Sequence, residues 1–346
     1  MSDDVLPGAA VRGINVGAVS TWLTANVSGA VAPFTFELIT GGRSNLTFKV
    51  TGADGTRFVL RRPPMGNVLA SAHDMGREFR LISAVARAGI PVAPALGMCT
   101  DLSVNDAPFY VMGYMDGVVL DSPERGGTLS ESVRRSASES LADTLAALHA
   151  VDIDAVGLGD LAKRADYVGR QLKRWSAQWD ASKTRELPSM ERVRALLLAG
   201  APEQRFTGIV HGDYRFGNVM VDPVSGTVRA VLDWELCTLG DVLADVGYVI
   251  SYWTDPGEPF RRENDPSGHP GFFSRAEFVA RYSEVSGRSL TDVGWYEAFA
   301  CWRLGCIAEG VLARYLAGVM GDDVDTSGMA GRVDALAEHA LALLEA

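Results

Sequence analysis

Residues 211–218 form a short polar segment enclosed by an apolar run and a predicted hairpin, and this arrangement constrains the chain most. The segment reads His-Gly-Asp-Tyr-Arg-Phe-Gly-Asn and places Asp213 and Asn218 five positions apart. Two strand-like runs follow, joined by a turn at 222–226, and the second run ends at Asp233. A tight hairpin returns the chain to its starting end, so the pattern predicts Asn218 and Asp233 at the same end of a sheet.

These three polar side chains suit phosphoryl transfer. Mg²⁺ takes one or two protein carboxylates and keeps phosphate oxygens and water as its other ligands, so Asn218 and Asp233 are candidate metal ligands. Asp213 is placed to accept a proton from a hydroxyl group. Phosphoryl transfer requires an aligned nucleophile, a metal ion on the phosphates and compensation of charge. The spacing therefore predicts a phosphoryl-transfer site.

The first third of the chain predicts a small sheet. Alternating apolar residues and intervening turns indicate three strands, after which a run with helical periodicity precedes two further strands. The order predicts a small antiparallel sheet with one main helix packed on it, preceded by a short leading helix. The predicted strands are 34–39, 46–50, 57–62, 95–99 and 109–114, and the predicted helices are 14–27 and 71–88.

Helical periodicity dominates the rest of the chain. A chain of 346 residues exceeds the usual size of a single core, so two lobes are expected. We place residues 1–113 in an N-terminal lobe and residues 114–346 in a mostly helical C-terminal lobe, which makes an α+β fold. The predicted helices of the second lobe are 130–150, 161–179, 190–199, 243–252, 274–285, 295–316 and 331–344.

A specific resemblance adds to this interpretation. The motif H-G-D-x-x-x-x-N at 211–218, followed by L-D-W-E at 232–235, resembles the signature of the aminoglycoside phosphotransferase and choline kinase families. Those families are relatives of protein kinases, whose equivalent segments read H-R-D-x-x-x-x-N and D-F-G. The similarity extends over nearly the whole chain. It implies a two-lobed, protein-kinase-like fold.

The resemblance also implies roles for individual residues. Asp213 would be the catalytic base, Asn218 and Asp233 would hold Mg²⁺, and His211 would support the loop. The phosphoryl donor would be ATP, with GTP as the alternative. The acceptor would be a hydroxyl group of a small molecule.

A glycine-rich loop at 40–45 is the candidate contact to the nucleotide phosphates. Glycine lets backbone N–H groups approach phosphate oxygens, although a simple hairpin loop is the alternative because the sequence is not G-x-G-x-x-G. A branch of the family associated with acyl-CoA dehydrogenases is similar here. It pairs a Gly-Gly-x-Ser-Asn loop with a V-L-R strand, as at 59–61. The candidate loop residues are Gly41, Gly42, Ser44 and Asn45.

Protein kinases carry a phosphate-binding lysine on the third strand, and the matching position here is Arg61. Arg62 competes for this role, and strand alternation allows only one of the two to face the nucleotide. We favour Arg61, with Glu78 of the following helix as its partner. The run at 109–117 resembles the hinge that contacts adenine through its backbone. Its candidate residues are Met112, Gly113, Tyr114 and Met115.

Composition limits the partners. The net charge of −11 argues against nucleic acid, because phosphate backbones bind clustered Lys and Arg. The first residues lack the basic and apolar regions of a secretory signal, and no apolar stretch reaches the length of a bilayer, so we expect a cytoplasmic chain without membrane contact. It would be a monomer or a homodimer. The four cysteines lack zinc-binding spacing, so we expect reduced thiols.

Three expectations concern the region after the metal-binding strand. Asp241 and Asp245 are four positions apart, which predicts one helix face. The family resemblance implies that they support the loop, with Asp241 as an N-cap, and substrate binding is the alternative. The segment 254–271, rich in Pro, Gly and mixed charge, is a candidate lid. The chain is expected to enter a helix directly after Asp233, which leaves little room for the activation loop of a protein kinase.

The acceptor stays open at this point. Aminoglycoside-like, choline-like and hydroxyacyl-CoA-like compounds are the alternatives, the last because of the resemblance to the branch associated with acyl-CoA dehydrogenases. The competing interpretation is a catalytically silent nucleotide-binding module. The presence of Asp213, Asn218 and Asp233 favours an enzyme.

Overall fold

The computed structural model of the chain describes residues 11–39, 45–66, 74–255, 258, 264–318 and 326–346. The backbone forms two compact units. Unit 1 comprises Met1–Asp116 and Arg229–Glu235, and unit 2 comprises Gly117–Val228 and Leu236–Ala346. The first break falls after Asp116, within the range 113–117 in which the change from strands to helices predicts a boundary. The segment Arg229–Glu235 belongs to unit 1, although the sequence placed it in the second lobe.

Unit 1 is built around an antiparallel sheet. Within the described residues, its strands lie in the order β1-β2-β3-β5-β4 and every neighbouring pair is antiparallel. These elements match the predicted ones, apart from the short helix α3. The helices and strands are α1 (Val16–Asn26), β1 (Thr35–Leu38), β2 (Leu46–Thr51), β3 (Arg57–Arg62), α2 (Met75–Arg87), β4 (Ala95–Cys99), α3 (Leu102–Asn105) and β5 (Phe109–Gly113).

Alternation of side chains explains the core of unit 1. Phe48 of β2 lies opposite Leu60 of β3, and both are buried on one face of the sheet. Leu23 of the leading helix α1 joins the same core. Helix α2 also packs on the sheet, against β4 and β5. The sheet therefore carries two helices, whereas the sequence predicted one.

Unit 2 is mostly helical. Helix α10 is central, because it packs against α6, α7, α8 and α11. Strand β6 pairs antiparallel with β8, and β7 with β10. The elements are β6 (Val118–Val119), α4 (Pro123–Gly127), α5 (Glu131–His149), α6 (Tyr167–Ser182), α7 (Pro188–Ala199), β7 (Thr207–Val210), β8 (Val219–Val221), β9 (Val228–Val231, which begins in unit 2), β10 (Thr238–Asp241), α8 (Leu243–Tyr252), α9 (Arg275–Ser286), α10 (Val293–Leu316) and α11 (Thr326–Leu344).

The segment after Asp233 differs from the prediction. It forms a 3₁₀ turn and then β10 before α8 begins, so the chain does not enter a helix directly. Asp241 ends β10 and therefore does not share a helix face with Asp245. Val242 takes the N-cap position, while the carboxylate of Asp241 accepts the N–H of Leu243 at 3.1 Å. Pairing with β7 stabilises β10, whose sequence Thr-Leu-Gly-Asp lacks the alternation of apolar residues that would reveal a strand.

Three further observations concern the predicted elements and surfaces. Helix α6 begins at Tyr167 and not at 161, because Asp166 before it has a left-handed backbone conformation. The side chains of all four cysteines are buried, as expected. None of the helices in the described part of the chain combines the length and the apolar character needed to cross a bilayer. The α+β class predicted from the sequence is confirmed.

Candidate active site

The loop at 211–218 lies in unit 2 directly after β7. Gly212 has φ +84°, in the left-handed region that favours glycine. A Cβ atom there would lie 3.0 Å from the carbonyl oxygen of Leu236, so a larger residue would also collide with the backbone. The loop ends in one 3₁₀ turn, Phe216–Asn218, which leads into β8. The residue before Asp213 must therefore be glycine.

Asp245 fixes the beginning of this loop. Its two carboxylate oxygens accept the backbone N–H groups of His211 at 2.6 Å and Gly212 at 2.8 Å, and its side chain is buried. Burial by itself raises the pKa of Asp245. The hydrogen bonds from His149 and the loop outweigh it and hold the pKa below its ordinary value. Asp245 thus stays ionised and supports the loop, as the sequence suggested.

His149 connects Asp245 to helix α9. Its Nδ1 lies 2.7 Å from the hydroxyl of Tyr282, and its Nε2 lies 3.3 Å from Asp245. A neutral imidazole with the proton on Nε2 satisfies both contacts, because Nδ1 then accepts and Nε2 donates. Burial lowers the pKa of His149, and this outweighs the opposing influence of Asp245. The folded chain therefore holds His149 uncharged.

The stability of the fold should depend on this histidine below neutral pH. The unfolded chain takes up a proton near the ordinary histidine pKa, whereas folded His149 takes it up only at a lower pH. Stability is therefore complete above about pH 6.5 and falls below it by up to ~1.4 kcal/mol per pH unit. Urea unfolding at about pH 7.5, 6.5 and 5.5 measures this slope.

The control for that measurement is His149→Gln, whose amide N–H can still donate to Asp245. The two proteins differ at this one titratable group, so the difference between the two slopes reports on His149. We expect a shallower slope in the variant between about pH 6.5 and 5.5. Equal slopes in the two proteins would show that His149 is not held neutral.

Asp213 is fixed by hydrogen bonds to both of its carboxylate oxygens. Oδ1 accepts the hydroxyl hydrogen of Tyr248 at 2.6 Å, and Oδ2 accepts from Nδ2 of Asn218 at 2.7 Å. The same Nδ2 donates to the carbonyl of Asp213 at 2.8 Å, so the amide oxygen of Asn218 remains for another ligand. Burial raises the pKa of Tyr248 well above its ordinary value, so its hydroxyl stays a donor. The loop thus presents an oriented carboxylate.

Two guanidinium groups lie at this loop, and one of them contacts the carboxylate of Asp213. Nε of Arg215 is 3.4 Å from Oδ1 of Asp213. Arg303 of α10 donates to the carbonyl of Gly212 at 2.8 Å, and its guanidinium lies 5.1 Å from the ring centre of Tyr248. Nη1 of Arg215 and Nε of Arg303 are buried without a hydrogen-bond partner among the described residues. These cations are suited to an anionic ligand.

The sequence did not single out Tyr248, Arg215 or Arg303. Helical spacing could have found Tyr248, because it follows Asp245 by three positions and so shares a face of α8 with it. Arg215 lay inside the motif at a variable position. No local pattern connects Arg303 with the loop, because the two are far apart in the chain.

In unit 1, Arg61 forms the predicted pair with Glu78. Nε of Arg61 lies 3.1 Å from Oε1 of Glu78, and the hydroxyl of Tyr110 donates to the same oxygen at 2.8 Å. Burial raises the pKa of Glu78, which outweighs the influence of Arg61. Burial alone would lower the pKa of Arg61, but Glu78 and its other neighbours raise it, so Arg61 stays cationic. Arg61 and Glu78 therefore form a largely buried ion pair.

Arg61 also contacts the segment that follows β9. Its Nη2 lies 2.9 Å from Oδ1 of Asp233 and 3.6 Å from Oε2 of Glu235. Nδ2 of Asn45, at the end of the predicted nucleotide loop, donates to Oε2 of Glu235 at 3.3 Å. Unit 1 therefore brings Asn45, Arg61 and Asp233 together. The remaining loop candidates, Gly41, Gly42 and Ser44, lie outside the described residues.

Arg62 has different partners. Its guanidinium donates to the carbonyl of Gly13 and lies 3.0 Å from Oδ1 of Asp106. Only 4% of its side chain is exposed, so these contacts occupy it in the packing of unit 1. Of the two competing arginines, Arg61 is the one that contacts Glu78 and Asp233.

The two predicted metal ligands lie in different units, Asn218 in unit 2 and Asp233 in unit 1. Asp233 has φ +59°, a left-handed conformation that is uncommon for a residue with a side chain and is frequent at functional sites. Its side chain is 37% exposed, so a cation can reach it. No group of three His, Cys, Asp or Glu side chains in the described residues could hold a metal alone. Mg²⁺ needs fewer protein ligands, and the carboxylate of Asp233 and the amide oxygen of Asn218 are each an oxygen donor of the kind that it prefers.

Part of the predicted hinge already has backbone partners within unit 1. Met112 lies opposite Val59 in the pairing of β3 with β5. The N–H of Gly113 donates to the carbonyl of Pro94 at 2.8 Å, and the N–H of Tyr114 to that of Arg57 at 3.4 Å. In the described part of the chain, the N–H of Met115 has no such partner. Met115 is therefore the hinge residue whose N–H remains for a ligand.

Comparison with known proteins identifies a matching family model and two solved structures of similar fold. The model of the phosphotransferase enzyme family matches residues 35–278. A Ralstonia eutropha JMP134 protein, provisionally named an aminoglycoside phosphotransferase, is 32% identical with a TM-score of 0.82, over 95% of this chain and 98% of that one. The complex of streptomycin, ATP and APH(2″)-IIa has a TM-score of 0.59 at 16% identity, over 93% of this chain and 97% of that one, which shows the fold alone.

A curated relative is much longer than this chain. Acyl-CoA dehydrogenase family member 10 of Mus musculus is 37% identical over 281 residues, which cover 80% of this chain and 26% of the relative. The chain thus spans about a quarter of that protein. The match agrees with the resemblance at the Gly-Gly-x-Ser-Asn loop and the V-L-R strand.

Proposed function

Because the chain belongs to the phosphotransferase enzyme family, we propose that it transfers the γ-phosphoryl group of ATP, or of GTP, to a hydroxyl group of a small molecule. The observation that carries the proposal is the orientation of Asp213. Each of its oxygens accepts one hydrogen bond from a fixed donor and keeps capacity for another. A carboxylate held in this way can receive the proton of an acceptor hydroxyl.

The proposed reaction assigns a role to each predicted residue of the loop. Asp213 takes the proton of the acceptor hydroxyl. The oxygen of that hydroxyl attacks the γ-phosphorus, and the nucleoside diphosphate leaves. His211 supports the loop, because its Nδ1 accepts the N–H of Asp213 at 3.3 Å. Asp233 and the amide oxygen of Asn218 would hold Mg²⁺. When bound, Mg²⁺ compensates the charge of the phosphate oxygens.

Unit 1 supplies the residues proposed for the nucleotide. Arg61 would contact phosphate oxygens through its planar guanidinium, with Glu78 as the partner that orients it. Asn45 and the glycine-rich residues Gly41, Gly42 and Ser44 would approach the phosphates. The hinge, Met112, Gly113, Tyr114 and Met115, would contact the base. The ATP in the streptomycin complex of similar fold supports a nucleotide as the donor.

The charge beside Asp213 favours an anionic acceptor. Arg215 and Arg303 bring two guanidinium groups to the loop, and each has a buried N–H without a partner among the described residues. A polycationic aminoglycoside or the quaternary ammonium of choline would be repelled by these groups. A hydroxyacyl-CoA carries phosphates that could approach them. We therefore rank the hydroxyacyl-CoA class first.

Release of nucleoside diphosphate tests this proposal. The purified chain, ATP or GTP, and Mg²⁺ are incubated with an aminoglycoside, choline or a hydroxyacyl-CoA, and diphosphate is measured against reactions without acceptor. We expect acceptor-dependent release with the hydroxyacyl-CoA. A chain that bound the Mg²⁺-nucleotide but gave no acceptor-dependent release with any class would be the catalytically silent module.

Tyr248→Phe should lower the rate of transfer without unfolding the chain. The change removes the hydroxyl that donates to Asp213 and keeps the ring beside Arg303. A hydrogen bond to a charged group contributes ~1.5–3 kcal/mol, so we expect kcat to fall about tenfold or more while the KM for nucleotide stays unchanged. Steady-state kinetics and thermal unfolding measure the two effects.

The matched control is Tyr252→Phe. Tyr252 lies one turn further along α8, and its hydroxyl is 3.4 Å from that of Tyr248. Tyr252→Phe removes the same atom but leaves the hydrogen bond from Tyr248 to Asp213 in place, so kcat should change little. Equal losses in the two variants would mean that the hydroxyl of Tyr248 does not orient the base.

A further inference from the structure

Arg61 is surrounded by three carboxylates in unit 1. We call Arg61, Glu78, Asp233 and Glu235 the Arg61 cluster. The guanidinium reaches Glu78 through Nε at 3.1 Å, and Asp233 and Glu235 through Nη2 at 2.9 and 3.6 Å. One cation therefore faces three acids. A planar guanidinium can do this because its donors point in several directions, whereas the ammonium group of lysine is a single point charge.

The members of the cluster differ in exposure. Glu78 and Arg61 expose 5% and 14% of their side chains, whereas Asp233 exposes 37%. Asp233 is thus the carboxylate most accessible to a dissolved cation. Its Oδ1 is already paired with Arg61, so a divalent cation has to compete with the guanidinium for it. A positive charge this close to Asp233 also repels any second cation.

Phosphate groups would change this balance. A nucleotide phosphate is a bidentate partner that a guanidinium binds well. Nη2 can then turn from Asp233 to phosphate oxygens, while Nε keeps its contact with the buried Glu78. The carboxylate of Asp233 is released at the moment at which a cation that accompanies the phosphates needs a ligand.

We propose that Arg61 is a counter-ion that blocks Asp233 against free divalent cations until the nucleotide arrives, so that cation and nucleotide bind together. The inference rests on the proposed use of Asp233 as a cation ligand and goes beyond it. Arg61 acts on the cation through Asp233 and is a positioning residue in this respect. The same side chain thus weakens binding of the bare cation and strengthens binding of the nucleotide.

Binding of Mn²⁺ alone tests the proposal. Electron paramagnetic resonance counts free Mn²⁺ in titrations of the full chain without nucleotide, and it needs no acceptor and no turnover. Arg61→Met should bind Mn²⁺ at least about tenfold more tightly than the wild type, while its affinity for ATP falls. Arg57→Met is the matched control, because Arg57 lies on the same strand and pairs with the exposed Asp116. The control should leave Mn²⁺ binding unchanged.

Two double variants test whether a gain in Mn²⁺ affinity comes from the release of Asp233. Arg61→Met leaves Glu78 buried without its cation, so Arg61→Met with Glu78→Gln removes both charges in case the single variant does not fold. It should still bind Mn²⁺ more tightly than Glu78→Gln alone. Arg61→Met with Asp233→Asn should lose the gain, because the released carboxylate is absent.

The outcomes separate this inference from the proposed function. The counter-ion role is overturned if Arg61→Met binds Mn²⁺ no more tightly than the wild type and the double variant binds it no more tightly than Glu78→Gln alone. This holds even if the wild type phosphorylates an acceptor. A gain that survives Asp233→Asn also overturns it. A gain that depends on Asp233, in a chain that transfers no phosphoryl group, supports the counter-ion role and contradicts the proposed reaction alone.

Discussion

Asp213→Asn should lower the rate of phosphoryl transfer by about 10²–10⁴-fold, the usual contribution of a general base. The amide has the shape of the carboxylate but does not accept the proton of the acceptor hydroxyl. The loop can accommodate it, because the amide oxygen can accept from Asn218 and the amide N–H₂ can donate to the hydroxyl oxygen of Tyr248. The loss should therefore appear in kcat and not in folding.

Single-turnover kinetics and calorimetric titration with nucleotide measure this prediction. Asp213→Asn should bind the Mg²⁺-nucleotide as the wild type does. Asp121→Asn is the control, because Asp121 pairs with Arg125 at the surface and such pairs contribute little. Turnover of Asp213→Asn at the wild-type rate would exclude Asp213 as the base.

Asp245→Ala should have the largest effect on stability. It removes the acceptor of the N–H groups of His211 and Gly212 and the partner of His149, all of which are buried. Removal of one partner from a buried charged network typically costs ~3–5 kcal/mol, because the remaining groups lose their hydrogen bonds and are not rehydrated. Activity should fall as well, since the loop that carries Asp213 loses its anchor.

Urea unfolding followed by tryptophan fluorescence measures this loss. Most tryptophans lie in unit 2, so the signal reports on the unit that contains Asp245. The matched control is Asp143→Ala on α5, whose carboxylate pairs with Arg281 and is 39% exposed. The free energy of unfolding of this control should fall by no more than ~1 kcal/mol. A loss of the same size for both variants would contradict the anchoring role of Asp245.

The parts of the fold that the sequence predicted are those with a local signal. Strands β1 to β5 alternate in apolar character or form apolar runs between turns, and helices such as α2 and α6 have buried residues at helical spacing. Strand β6 has only two residues, and β10 reads Thr-Leu-Gly-Asp with one strongly apolar residue, so neither carries either pattern. The chain depends on pairing with distant strands to form them, as β10 does with β7.

In the candidate site as well, the sequence identified the residues that have a local signal and missed those that depend on packing. The motif identified Asp213, Asn218 and Asp233, because spacing within a short segment is visible in the sequence. The contacts that orient them come from elsewhere in the chain: Tyr248 to Asp213, and Arg61 to Asp233. Strand alternation could limit the choice to Arg61 or Arg62, but only packing shows which of them contacts Glu78.

The charge around the acceptor could not be read from composition. A net charge of −11 is compatible with a cationic substrate, yet the side chains beside Asp213 include two arginines. Net charge averages over the whole surface, whereas a substrate responds to the few groups within a Debye length, about 8–10 Å. Arg303 illustrates the difference, because it reaches the loop from α10.

Identification of the product tests the central claim most directly. The chain is incubated with ATP, Mg²⁺ and a panel of hydroxyl compounds that includes hydroxyacyl-CoA, choline and aminoglycosides, and the compounds are examined by mass spectrometry and ³¹P NMR. We predict one phosphate monoester, formed at a hydroxyl group by the wild type and not by Asp213→Asn. A panel left unmodified under conditions in which the chain binds the Mg²⁺-nucleotide, or a product formed equally by both proteins, would contradict the account.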